Sequence, residues 1–526
     1  MMSSRVLIIA LCLLPLSACS CAAPPEKAGD ECDLNADEEP CPDGLVCLED
    51  DDDKGACFVP LGGDCSGDAE DFCTAGLDCG DDVCGGRGAS CATDEDCFEL
   101  FCAELASGGN ACHPPAQLRG QVIDGLDLSP VAGAAVVGLD IDGAAISKTA
   151  VTDVDGNYSL ALTVKRNDDG SPLDVAATLR ADARDYASFP GGIRTAIPVD
   201  LGTAAVDADT GAFVVDNAAT VIALLPLPAA EQGRPVISGN VAAGGGGVLV
   251  VADIGELVRA PSAITDQGGD FTVFNVPAGT VTVSGYAAGL QLTPATVTVA
   301  DADVEGVVLS ESATGTGTVS GNIQIVNGGG GSVTSVVLVV DETFDDILQR
   351  GDVPRGLRAG DVDGAFTISG VPDGTYVVLA AFENDGLVRD PDENISGTDL
   401  VRVTVGDGAR EVNLGESFKI TGALDVLSPG ADGIETVTAP PTFVFGNDSS
   451  EDGYTVEVID AFGTVNWSSE LPTQSGSSDI SLPYGGPGLE EGMIYQLRVR
   501  SFRESGGGRS NISATEDLKG IFLFQP

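Results

Sequence analysis

Three textures follow one another along the chain. An apolar run from Val6 to Leu16, interrupted only by Cys12 and Pro15, follows Arg5 and leads to Leu16-Ser17-Ala18-Cys19. From Glu26 to Pro114 the apolar residues have no period, and acidic residues and cysteines dominate. After Leu118 cysteine vanishes and β-branched residues alternate with small or polar ones. That period of two turns one face of a strand into a core and leaves the other in water.

The apolar head has 11 residues. At about 1.5 Å each in a helix it falls well short of the roughly 20 residues that cross a bilayer, so it reads as a removable export signal. Leu16 to Cys19 resembles a bacterial lipobox. The resemblance implies cleavage behind Ala18, a diacylglyceryl thioether on Cys19 and a tether over 19–31. Ser20, standing where an Asp would favour the inner membrane in that family, implies the outer one. The expected localisation is the bacterial outer membrane or cell surface, with the membrane as a partner through the lipid.

Twelve cysteines follow in three sets of four: Cys32, Cys41, Cys47, Cys57; Cys65, Cys73, Cys79, Cys84; Cys91, Cys97, Cys102, Cys112. A Gly stands three residues before the first Cys of each set, and Asp43-Gly44-Leu45-Val46-Cys47 echoes Ala75-Gly76-Leu77-Asp78-Cys79. Modules this short cannot bury enough apolar surface to fold alone, and in an oxidising compartment disulfides worth about 2–4 kcal/mol each replace the missing core. Two bridges per module are expected, with three pairings open in each. Zinc is disfavoured, because the block has no C-x-x-C and its one histidine is His113. Cys12 leaves with the signal and Cys19 takes the lipid, so Cys21 is the odd cysteine: a free thiol is favoured, with an intermolecular bridge as the alternative. The acidic run Glu49 to Lys54 reads as a solvated loop tip. The spacing resembles Dickkopf-type cysteine-rich modules, which implies presentation or partner binding.

The alternating region carries a repeated grammar. Arg119-Gly120-Gln121-Val122, Ile237-Ser238-Gly239-Asn240-Val241 and Val319-Ser320-Gly321-Asn322-Ile323 open three copies. Each has an Asp-Gly turn before an aromatic: Asp153 to Tyr158, Asp266 to Phe271, and Asp361 to Phe366. Asp at the head of a turn bonds the backbone two residues on, and Gly supplies positive φ. Asp153, Asp155, Asp361 and Asp363 are therefore turn formers first; calcium binding is the alternative use, weakened because no bidentate Glu follows at calcium-loop spacing. Leu118 to Val164 resembles a carboxypeptidase regulatory-like, transthyretin-like β-sandwich. From Phe418 onward the strands resemble a fibronectin type III domain, with Leu489, Gly492 and Tyr495 similar to its tyrosine corner. The fold class is thus all-β and multidomain: small disulfide-rich N-terminal modules at 32–113, then tandem Ig-/transthyretin-like β-sandwiches at 118–226, 236–312, 318–416 and 418–526.

Length and charge agree with this division. The 526 residues imply three to five domains. A net charge of −56 argues against nucleic acid as a partner. With one histidine a Ser-His-Asp or Cys-His triad is excluded in practice, and the zinc-binding histidines of metallocarboxypeptidases are absent. Asp209-Thr210-Gly211 matches one half of an aspartic-protease pair, but no second copy exists and a turn is favoured. The expected protein is not an enzyme and needs no cofactor, calcium aside. Three functions are open: a noncatalytic lipid-anchored surface protein presenting β-sandwiches for adhesion, partner binding or envelope structure; a carbohydrate-binding protein with a glycan ligand, although one Trp and seven Tyr leave few rings for sugars; and a calcium-rigidified adhesin.

Overall fold

A computed structural model describes residues 27, 28, 32, 41, 45–49, 55–66, 73, 74, 77–242, 245–255, 259–326, 331–381, 385–406, 408–448, 450–474 and 479–526. The lipobox with Cys19, Cys12, Cys21 and the acidic tip Asp50 to Lys54 lie outside the described residues. The fold is all-β, with no α-helix among the described residues. It divides into a cysteine-rich unit and a larger β-sandwich unit beginning at Pro115.

In the cysteine-rich unit each module ends in a short hairpin: Val46–Glu49 with Gly55–Phe58, Cys79–Gly80 with Val83–Cys84, and Phe101–Glu104 with Asn110–His113. The third and fourth cysteines of each set are cross-strand neighbours but do not bond each other. Instead first joins third and second joins fourth: Cys32–Cys47 and Cys41–Cys57, Cys65–Cys79 and Cys73–Cys84, Cys91–Cys102 and Cys97–Cys112. The two bridges clip each hairpin to the loop before it. Cys57, Cys65, Cys84 and Cys112 are fully buried, so the sulfurs themselves form much of the core that the apolar residues cannot supply.

One segment departs from the expected boundaries. Residues 166–170, inside the stretch read as the first sandwich, belong to the cysteine-rich unit. The Arg166 N–H donates to the Glu104 carbonyl at 2.8 Å, and the Ala106 N–H donates to the Arg166 carbonyl at 2.8 Å. The third hairpin thereby gains a bonded edge from a distant part of the chain.

The larger unit holds four sandwiches in which an early strand runs parallel to a closing one: Ala116–Asp124 beside Val221–Pro226, Ile237–Val241 beside Val304–Glu311, Gly317–Ile325 beside Glu411–Asn413, and Glu435–Val437 beside Ile521–Phe524. In the second, Leu290–Thr293 pairs with both Gly279–Ala287 and Val304–Glu311, which joins the layers into one curled eight-stranded sheet. The third boundary also shifts. Phe418–Gly422, expected to open the last domain, pairs with Gly317–Ile325 and Leu387–Arg389 and completes the third sandwich. Its buried Phe418 and Ile420 fill that sandwich's core.

A glycine faces an aromatic across the ladder in every sandwich: Gly120 with Tyr158, Gly239 with Phe271, Gly321 with Phe366, and Gly453 with Phe502. The missing Cβ lets each ring lie over the neighbouring backbone, a pairing that pins register and covers the glycine. This is the physical content of the repeated opening motif.

Linkers do not isolate the sandwiches. The third core takes in Leu249, Val251 and Tyr286 of the second, with Tyr286 edge-on to Tyr376 at 6.1 Å between ring centroids. The fourth core takes in Leu348 of the third and, from the first, Ile193 and Leu225. Between first and second, Arg184 pairs with Asp303 at 2.9 Å, and the Asn275 amide donates to the Ala183 and Tyr186 carbonyls at 3.0 and 2.9 Å. The contacts run first to second to third to fourth and back to the first.

Candidate functional site

The acidic turn residues resolve into one recurring loop. In Asp153 to Asn157 the Asp153 carboxylate accepts from the backbone N–H of Asp155 and Asn157 at 3.0 and 2.8 Å, and Gly156 takes φ +74°. Asp266 repeats this with Gly268 and Asp270 at 2.8 and 3.1 Å, as do Asp140 with Asp142 and Ala144 and Asp460 with Phe462 and Thr464. The third copy differs: Asp361 itself takes φ +52°, and Asp363 stands exposed at the tip between Arg358–Val362 and Ala365–Val371. Asp153 and Asp155 lie in one sandwich and Asp361 and Asp363 in another, and among the described residues neither pair belongs to a cluster of three metal-capable side chains. Among the described residues, the only clusters of three or more metal-capable side chains are disulfide cysteines.

Asp209-Thr210-Gly211 forms a surface turn closed by Asp207, whose carboxylate accepts from the Thr210 hydroxyl at 2.9 Å and pairs with Arg119 at 2.8 Å. The bond from Arg119, then that from Thr210, hold the Asp207 carboxyl down at about 2. A carboxylate so engaged is a structural clasp. His113 is 2% exposed in the cysteine-rich unit, against Gly170, where a Cβ would lie 2.3 Å from Nδ1. Burial, then Arg87 and Arg166 nearby, push the imidazole below its ordinary value.

The chemistry missed in the sequence lies between the third and fourth sandwiches. A cavity of about 270 Å³ is lined by Arg389, Arg498 and Arg500 together with Asp390, Glu393 and Asp517. Strand Ile494–Ser505 aims Arg498 and Arg500 from one sandwich, and Leu387–Arg389 brings Arg389 from the other. Arg498 is anchored: it donates to the carbonyls of Ile347 and Leu348 and to Gln496. Arg500 is paired with Glu457 at 2.8 Å. Burial, above all, holds the Arg389 and Arg498 guanidiniums below their ordinary values; Asp517 opposes it in both.

No family model matches the chain, and no curated protein matches it. Among solved structures it is similar to a streptococcal ancillary pilin, at 14% identity over 58% of this chain and 98% of that one, TM-score 0.15. It is also similar to BcpA, the major pilin subunit of Bacillus cereus, at 11% identity over 59% and 99%, TM-score 0.16. A DUF3823 family protein from Bacteroides ovatus matches at 13% identity over 39% and 98%, TM-score 0.18. At these scores the likenesses carry no argument about function.

Proposed function

We propose that this chain is a noncatalytic bacterial cell-surface protein, held at the outer membrane by lipid on Cys19, that presents a block of β-sandwiches for adhesion, partner binding or envelope structure. The observation that carries this reading is the set of six disulfides. Bridges that stand in for a core form and persist in an oxidising compartment, so the chain belongs outside the cytoplasm. The apolar run before Cys19 supplies the export route, and a lipid there supplies attachment without a membrane span. The chain's one histidine is 2% exposed and so is not presented to a substrate, consistent with a binding or scaffolding role.

Fractionation of expressing cells tests the anchor. The parent chain should sediment with outer membranes and Cys19→Ala should appear in the soluble periplasmic or culture fraction. An unchanged membrane fraction for Cys19→Ala would overturn the assignment.

A further inference from the structure

We propose that the cleft between the third and fourth sandwiches binds a compact hydroxylated monocarboxylate of the sugar-acid class, with Arg389 as its principal ligand. The chain carries only 25 basic residues against 81 acidic ones, yet three arginines wall this one cavity. Two of them have structural partners. Arg498 holds the Ile347 and Leu348 carbonyls, and Arg500 holds Glu457. The Arg389 side chain has no hydrogen bond or ion pair among the described residues, although the residue sits at the end of a paired strand and lines the cleft. Arg389 is half-buried, so its donors are neither given up to bulk water nor taken by a bonded carboxylate of the fold. A planar guanidinium matches a carboxylate through two parallel N–H donors.

The remaining lining narrows the ligand. Asp390, Glu393 and Asp517 share the cavity with the three arginines. Three carboxylates repel a dianionic phosphate but accept hydrogen bonds from hydroxyls, so a single negative charge on a hydroxylated body suits both the arginines and the acids. A polyanionic chain would also approach against a net charge of −56, which favours a free or terminal sugar acid over an acidic polysaccharide. At about 270 Å³ the cavity lies just below the usual small-ligand range of roughly 300–1,000 Å³, room for one ring. The proposal is independent of the lipid anchor, and a failed anchor test leaves it standing.

Isothermal titration calorimetry on the full chain, with glucuronate as the probe, tests it. Glucuronate should bind with one-to-one stoichiometry, while glucose, inorganic phosphate and glycine should each bind at least tenfold more weakly. Arg389→Met should lose at least tenfold in glucuronate affinity while its thermal midpoint stays level or rises. A residue present for the fold would show a fallen midpoint instead. Asn511→Asp, which adds a negative charge to the same lining, should weaken glucuronate comparably and gives a second reading if Arg389→Met fails to fold. The proposal is overturned by absence of glucuronate binding, by equal binding to either variant, or by tighter binding of phosphate, glycine or an oligogalacturonate chain.

Discussion

Gly239 and Gly321 occupy the same place in successive sandwiches, yet adding a methyl group to each should have different consequences. At Gly239 a Cβ would lie 1.9 Å from the Val307 carbonyl oxygen and 2.7 Å from Cζ of Phe271. The oxygen belongs to the backbone of the neighbouring parallel strand, so relief means parting Ile237–Val241 from Val304–Glu311. Overpacking alone costs about 1–3 kcal/mol, and weakening one or two ladder bonds adds about 0.5–1.5 kcal/mol each. Gly239→Ala should therefore destabilise by about 3 kcal/mol or more. At Gly321 the nearest atoms are side chains, Phe366 at 2.8 Å and Leu414 at 3.0 Å, which can rotate away, so Gly321→Ala should cost about 1 kcal/mol. Urea unfolding of the full chain, with hydrogen exchange to assign each loss to its sandwich, measures both. Phe366→Leu should rescue Gly321→Ala, whereas Phe271→Leu should leave Gly239→Ala impaired. Equal penalties for the two alanines, or rescue by Phe271→Leu, would refute the assignment of the obstacle to the Val307 carbonyl.

Two further outcomes can be read in the same way. Asp266 accepts from Gly268 and Asp270 in its own turn and from the Thr149 N–H of the first sandwich at 2.9 Å, so Asp266→Ala should cost about 2 kcal/mol or more in urea unfolding and exceed Asp153→Ala, whose partners all lie in one exposed turn. Glu342 has a buried carboxylate oxygen without a hydrogen bond, and burial, then Asp253 and Asp341, raise its value above the ordinary 4.5. The folded state therefore holds this proton more tightly than the unfolded chain, and the penalty at neutral pH is relieved as pH falls through the raised value toward 4.5. Glu342→Gln should raise the thermal midpoint at pH 7, with the gain shrinking by pH 4.5; a lower midpoint at pH 7 would contradict it.

Local chemistry was legible in the sequence, and long-range register was not. The Asp-x-x-Gly turns at Asp153 and Asp266 announce themselves because the bonds that make them span four residues. The opening glycines and the post-turn aromatics were both visible as motifs, but their pairing depends on a ladder between strands more than 30 residues apart. Phe418 to Ile420 alternates identically whichever sheet it joins, so its place in the third sandwich could not be read locally. Residues 166–170 carry no mark of their return to the cysteine-rich unit. The cleft is the extreme case: Arg389 and Arg498 come from separate strands in separate sandwiches, and neither is remarkable in its own neighbourhood.

The closure of the four sandwiches alters what presentation can mean for this chain. Repeated domains joined by Gly- and Thr-containing linkers suggest independent beads, each with all its faces free. Here Ile193 and Leu225 of the first sandwich and Leu348 of the third are 0–1% exposed within the core of the fourth. Separating that contact would expose these side chains, at about 1.5–3 kcal/mol for each large apolar group. The faces turned toward neighbouring sandwiches are therefore unavailable to a partner while the block is intact. What remains accessible are outward strand faces, the turn loops and the open cleft between the third and fourth sandwiches. Turn loops whose carboxylates are already bonded to their own backbone have little left to offer a ligand. Seams combine side chains from two domains, and the arginine-walled seam is where charge, cavity and an unbonded donor coincide.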